Sequence, residues 1–142
     1  GMIFVLDNSV AMRWLLPNTR PADAEYAAMA LEALVDHQAL VPTLWALEAA
    51  NVIAKAESKG WVTEARSQTF LSLLGRLNIV EDKATSDRAL GETLHLSRRT
   101  RLSAYNAAYL ELAMRRGLPL ATLDTDLATA ASALGVPIFR TN

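Results

Sequence analysis

Apolar and polar positions alternate along this chain in blocks that switch between two periods. Met2-Ile3-Phe4-Val5-Leu6 is a short apolar run that ends at Asp7, and Leu118-Pro119-Leu120-Ala121-Thr122-Leu123 is a second that ends at Asp124. Runs this short, bounded by polar turns, read as buried strands of a parallel sheet. Between them the period lengthens to that of helices. Ser9 is a good N-cap for a short helix after the first strand. Pro17 to Pro21 reads as a turn, and a helix over about 22–37 carries Ala27, Ala30, Leu31, Leu34 and Val35 on one stripe. Ala39-Leu40-Val41-Pro42 is a short strand. Thr43 is placed to cap a helix of about 44–58 that is apolar on most sides, hence expected to be buried, and Gly60 stops it.

The second half continues the alternation. Thr63 opens a helix with Phe70, Leu73, Leu74 and Leu77 at helical spacing, and Asn78-Ile79-Val80-Glu81 is a brief strand. Helices follow at about 86–98 and 103–116. Gly117 ends the second, and a last helix near 126–134 ends at Gly135, before a final edge strand, Val136-Pro137-Ile138-Phe139. No linker, repeat or low-complexity segment interrupts the series. The expected fold class is α/β: a three-layer α/β/α sandwich around a small parallel sheet, one domain over residues 2–142.

Bulk composition narrows the classes. The 142 residues are 51% apolar, enough for one full core. No run of eighteen apolar residues could span a membrane. The start lacks the basic and apolar regions of a secretory signal, and Gly1 before Met2 reads as a cloning remnant. The absence of cysteine removes disulfides, thiolate zinc sites and cysteine nucleophiles, and fits a reducing cytoplasm. A net charge of −1 supplies no global attraction to nucleic acid, so any such binding must use a local patch.

The commoner chemistries of parallel α/β folds have no motif here. The first strand is not followed by Gly-x-Gly-x-x-Gly, and the chain has no Gly-x-x-x-x-Gly-Lys phosphate loop and no Gly-x-Ser-x-Gly elbow. The first loop reads Asp7-Asn8-Ser9, not Asp-x-Asp. His37 and His95, the only histidines, sit at helix ends or flanks and read as solvated or capping residues.

What remains is oxygen chemistry. An acid just past the carboxyl end of a parallel strand stands where open α/β sheets place their ligands, and Asp7 and Asp124 both do so. Glu48 falls among Leu44, Trp45, Leu47, Ala49, Ala50 and Val52, where an unpaired carboxylate would be costly, so a cation or Arg partner is expected. Asn51 lies one turn on, on the same helix face. Asn106 adds an oxygen in the first turn of the helix capped by Ser103. Taken alone, Asp7 could be a turn former and Asp124 a turn residue, and Asp126 is better read as an N-cap. Together, Asp7, Glu48, Asp124 and Asp126 are hard ligands suited to Mg²⁺ or Mn²⁺.

Four segments in order then resemble the PIN-domain nucleases, and most closely the VapC-like toxins of toxin–antitoxin pairs. These are Asp7-Asn8-Ser9, Pro42 through Glu48-x-x-Asn51, Leu102 through Leu110, and Leu120-Ala121-Thr122-Leu123-Asp124-Thr125-Asp126-Leu127. The resemblance implies a metal-dependent endoribonuclease toxin with four acids in its site. Asp7, Glu48 and Asp124 match three of them, Ser9 matches the adjacent hydroxyl, and Asp126 a frequent accessory acid. The fourth family acid is an aspartate where this chain has Asn106, which offers one neutral oxygen instead of a charge. Three accounts stay open: a slower nuclease in which Asp126 or water fills the gap, a degenerate scaffold that keeps only antitoxin or RNA binding, or an introduced disabling change.

On this reading Asp7, Glu48, Asn106 and Asp124 are the metal ligands and catalytic set, directly or through water, with Ser9 and Thr122 orienting them or the phosphate. The expected substrate is RNA, single-stranded or looped. Arg13 is a further candidate because it lies near Asp7 in sequence. Arg98, Arg99, Arg101, Arg115 and Arg116 read foremost as solvated helix ends. The resemblance also implies a homodimer and a small antitoxin seated in an apolar groove, for which Trp14, Leu15, Leu16 and Trp61 are candidates as much as they are candidates for ordinary packing.

Overall fold

The computed structural model describes residues 1–16 and 20–141. Its centre is a four-stranded, all-parallel sheet of β1 (Ile3–Leu6), β2 (Gln38–Pro42), β3 (Ile79–Asp82) and β4 (Leu120–Ala121), in the order β3-β2-β1-β4. Consecutive residues of β1 and β2 are buried, so helices cover both sheet faces, as the unbroken apolar runs require. The helices are α1 (Asn8–Ala11), α2 (Pro21–Ala33), α3 (Trp45–Ser58), α4 (Glu64–Leu74), α5 (Thr85–Arg88), α6 (Leu94–Thr100), α7 (Ala104–Arg116) and α8 (Thr125–Ala133). The three-layer α/β reading therefore holds. Among the described residues no helix is long and apolar enough to cross a membrane.

The order of strands matters for function. From β1 the chain steps to β2 and β3 on one side, then returns to place β4 on the other side of β1. The crossover direction reverses between β1 and β4, and such a switch point leaves a crevice at the carboxyl ends of the two strands. Val5 N–H donates to Pro119 and Asp7 N–H to Ala121, each at 2.9 Å. That register brings residues 7 and 122–124 to one edge.

Several local expectations change. Ser9 does not cap α1; Asp7 holds the N-cap position in extended geometry, because the helix begins immediately after the strand. Thr43 does not cap α3, whose N-cap is Leu44; the Thr43 hydroxyl donates to the Asp82 carbonyl instead. The turn expected over 17–21 falls on residues 17–19, outside the described residues, and Pro21 opens α2. α2 stops at Ala33, which leaves Val35 87% exposed and off the expected stripe. The strand 118–123 shortens to Leu120–Ala121. The final edge strand is a single bridge between Leu120 and Ile138, since Pro137 has no N–H to extend it. A π-helical turn over Ala89–Thr93 interrupts the expected helix 86–98, with Gly91 out of helical geometry.

α3 is amphipathic, not buried all round. Trp45, Ala49, Ile53 and Ala56 face the core while Leu47 is 77% exposed. Its outward alanines favour helix without demanding burial. Thr63 and Ser103 do cap α4 and α7, accepting from Arg66 and Asn106 N–H groups. Phe4 stacks on Phe139 at 3.9 Å between ring centroids, so the C-terminal segment closes one side of the core.

Candidate functional site

Asp7, Glu48 and Asp124 come from three separate elements, the end of β1, α3 and the start of α8. β1 runs directly into Asp7, which is 4% exposed. Two hydroxyls hold one of its oxygens: Ser9 donates to Asp7 Oδ2 at 2.6 Å and Thr122 donates to the same atom at 2.7 Å. Each hydroxyl also accepts from the β4–α8 turn, Ser9 from Leu123 N–H at 2.9 Å and Thr122 from Asp124 N–H at 3.0 Å. The turn that carries Asp124 is thus wired to Asp7 through two neutral side chains.

Asp124 itself is the N-cap of α8. Its Oδ1 accepts from Leu127 N–H at 2.8 Å, and Asn106 Nδ2 donates toward its Oδ2 at 3.5 Å. The N-cap assigned to Asp126 belongs to Asp124, and Asp126 is exposed in the first helical turn. Glu48 is half-buried on α3, with its Oε1 accepting from the Tyr109 phenol of α7 at 2.5 Å. Within the protein Glu48 is thus met by a neutral donor, and among the described residues no Arg pairs with it. Asn51 is exposed and makes no hydrogen bond to the others among the described residues.

The charges feel one another. Burial pushes the Asp7 carboxyl above its ordinary value, Ser9 and Thr122 pull it partly back, and the Asp124 charge pushes it up again. Glu48 is also raised, first by burial and then by the charge on Asp7, against the lowering effect of Tyr109. Burial and the charges of Asp7 and Glu48 hold the Tyr109 phenol firmly protonated. Among the described residues no Lys, Arg or His comes within 4 Å of Asp7, Glu48 or Asp124. Arg13, the candidate nearest in sequence, is half-buried with its Nε unpartnered and does not pair with Asp7.

Donor chemistry at this edge suits a hard divalent cation: uncompensated carboxylate oxygens, and a buried Asn8 Oδ1 with no partner. Among the described residues no three acidic or histidine side chains stand close enough to grip one ion directly. A cation here would take Asp7 as its buried anchor and reach Glu48, Asp124 and Asn106 through water, as Mg²⁺, which dehydrates reluctantly, commonly does.

A family model described as PIN domain matches residues 4–133. The chain belongs to the PIN domain family. No curated protein matches it in sequence. Solved structures similar to this PIN domain include PAE2754 from Pyrobaculum aerophilum, 22% identical with a TM-score of 0.64, covering 91% of this chain and 79% of the other. VapBC2 from Rickettsia felis, bound to a DNA fragment from its promoter, is 14% identical with a TM-score of 0.66, covering 97% and 98%. FitAcB from Neisseria gonorrhoeae is 20% identical with a TM-score of 0.53, covering 98% and 97%. At these identities the likeness establishes the PIN fold.

Other sequence candidates lie elsewhere. Leu15 is 2% exposed and belongs to the core, and Trp14 is half-buried with its Nε1–H donating to the Ala27 carbonyl. Of the suggested groove residues only Trp61 stands out, 60% exposed with the Lys59 ammonium 4.6 Å from its ring. Arg115 is not a solvated helix end: it pairs with Asp82 at 2.6 Å and Glu111 at 2.9 Å. Tyr109 lies within the Leu102–Leu110 segment and is a site residue beyond those the sequence pattern singles out. A tyrosine three residues after Asn106, within an apolar helix face, was its only signal, since a buried phenol usually finds an acceptor.

Proposed function

We propose that this PIN domain is a metal-dependent endoribonuclease, the toxin of a toxin–antitoxin pair, acting on RNA phosphodiesters with Mg²⁺ or Mn²⁺. The observation that carries the reading is the electrostatic coupling of Asp7 with Asp124 and with Glu48, with no basic side chain within 4 Å of them among the described residues. Burial first, and then the charge of a neighbouring carboxylate, raises the proton affinity of Asp7 and Glu48, and the hydrogen bonds from Ser9, Thr122 and Tyr109 offset this only in part. Such an arrangement favours a divalent ion.

A bound cation supplies charge neutralisation at the phosphate and a water of lowered pKa. The chain's own residues prepare that site. Ser9 and Thr122 occupy one edge of the Asp7 carboxylate and leave its other oxygen for the ion. Tyr109 fixes Glu48 by its Oε1 and leaves Oε2 without a protein donor among the described residues. The α8 N–H bond holds Asp124. His37 accepts from Met2 N–H at 2.9 Å, and among the described residues neither His37 nor His95 comes within 4 Å of Asp7, Glu48 or Asp124.

A second reading has its own support. Asn106 turns an amide donor toward Asp124, a contact that a fourth carboxylate could not make, and the acids stand too far apart to share an ion directly. Both features suit a scaffold that binds an antitoxin or RNA without cutting. The motifs shared with VapC-like toxins, and the assembly of VapBC2 on its promoter DNA, support a protein partner of the antitoxin kind in either case. The experiment is RNA cleavage by purified, partner-free protein with Mn²⁺, beside Asp7→Ala. Cleavage lost in Asp7→Ala supports the nuclease; equal cleavage by both removes Asp7 from the site. No cleavage by either favours the scaffold.

A further inference from the structure

A cavity of about 720 Å³ opens beside the acidic crevice and shares Asn106 and Asp126 with it. Its lining includes two basic residues, Arg99 at the end of α6 and Arg101 in the α6–α7 turn, and the apolar Leu102, Ala130 and Leu134. Among the described residues neither guanidinium has a carboxylate within 4 Å, although Asp126 lines the same cavity. The volume is within the range of about 300–1,000 Å³ usual for small-molecule sites.

Arg101 is held there against local preference. Its φ is +64°, the left-handed region that suits glycine. The other left-handed residues among those described, Gly60, Gly117 and Gly135, are all glycines at chain reversals. The turn is firmly tied: Arg101 N–H donates to the Ser97 carbonyl at 2.8 Å, and Ser97 Oγ to the Leu102 carbonyl at 2.5 Å. Glycine would make the same helix end at lower cost. A strained arginine on the rim of a cavity points to a use for its side chain.

We infer that this cavity binds the nucleotide next to the scissile phosphate of a single-stranded RNA, with its phosphate on Arg99 and Arg101 and its sugar and base along the Leu102–Leu134 wall. The inference rests on the nuclease reading of the adjoining acids. It gives the chain, whose net charge is −1, the local basic patch that polynucleotide binding requires. Arg99 and Arg101 line a cavity joined to the acids through Asn106, which also contacts Asp124, and a polymer substrate uses such adjoining positive charge where a phosphate monoester does not.

The test uses the full chain without divalent cation and a short single-stranded RNA labelled at one end, with binding read by anisotropy across a salt series. Arg99→Gln and Arg101→Gly should each weaken binding about tenfold and reduce the slope of log affinity on log salt by about 0.7. Arg101→Gly should at the same time melt higher than the parent, because glycine relieves the left-handed turn. Weaker binding in a more stable protein cannot come from misfolding. Unchanged affinity and slope in both variants, or no RNA binding by the parent chain, overturns the subsite. Polyglutamate that displaces the RNA at matched charge also overturns it, and assigns the cavity to an acidic protein segment. Hydrolysis of the same RNA with Mn²⁺ is scored separately, so failure of the nuclease reading shows as intact RNA while the binding result stands alone.

Discussion

The Tyr109 phenol, at the end of a side chain with no exposed surface, donates a 2.5 Å hydrogen bond to Glu48 Oε1. It joins α7 to α3 across the crevice and is the one direct side-chain restraint on Glu48 among the described residues. Tyr109→Phe keeps the ring and deletes the donor. Cleavage of RNA should fall about tenfold, the loss expected for one hydrogen bond to a charged group. The fall should be in kcat more than in KM, and the melting temperature should move little. Unaltered kcat would show that Glu48 needs no such restraint.

Asn106 and Asp124 touch through a long amide–carboxylate contact, 3.5 Å. Asn106→Asp replaces that donor by a like charge beside Asp124. Without metal the variant should lose about 1 kcal/mol of stability. With Mn²⁺ it should regain it, bind the ion about tenfold more tightly and cleave RNA faster, since affinity follows the number of charged ligands. Calorimetric titration with Mn²⁺ and thermal melts in chelator check both halves. Equal Mn²⁺ affinity in the two proteins would mean that position 106 does not face the ion.

The backbone plan was readable because it depends on local pattern. Apolar runs ending in an acid located β1 with Asp7 and β4 with Asp124, and the isolated acid of α3 singled out Glu48. The failures were of three kinds. Side chains with more than one local use were misassigned: Ser9 and Thr43 looked like caps but bond elsewhere, because their competing acceptors come from the fold. Partnerships across long stretches of chain were invisible. Tyr109 finds Glu48 61 residues away, and Arg115 finds Asp82 33 residues away. No periodicity carries such information. The π turn at Ala89–Thr93 was hidden for a third reason, that its residues fit an ordinary helix as well.

Arg115 bridges β3 to α7. It bonds Asp82 and Glu111, whose side chains are only 10% and 6% exposed. Arg115→Met strands two carboxylates in a poorly solvated position and should cost about 3 kcal/mol in urea unfolding. Adding Glu111→Leu and Asp82→Asn should recover most of that loss, because the stranded charges and not the missing bridge are the main penalty. Failure of the triple variant to recover would assign the loss to packing of the arginine stem.

Asp7 and Glu48 make stability depend on pH in a direction opposite to that of most carboxylates. Their native proton affinities are raised above the ordinary values of 3.8 and 4.5. A raised native pKa means that the folded chain holds the proton more tightly than the unfolded one. Their contribution is therefore most favourable below those ordinary values and is lost as pH rises through the higher native ones. In chelator, Asp7→Asn should be more stable than the parent at neutral pH, and the gap should narrow as the pH is lowered toward 3.8. Taking the difference between the two proteins cancels the acid denaturation contributed by other groups. Saturating Mn²⁺ should reverse the neutral-pH order, because only the parent keeps the buried charge that anchors the ion. Urea unfolding at several pH values, with chelator and with Mn²⁺, measures this directly. A difference that stays constant with pH in chelator would show that the charge on Asp7 is already compensated, and would remove the physical reason for placing a cation beside it.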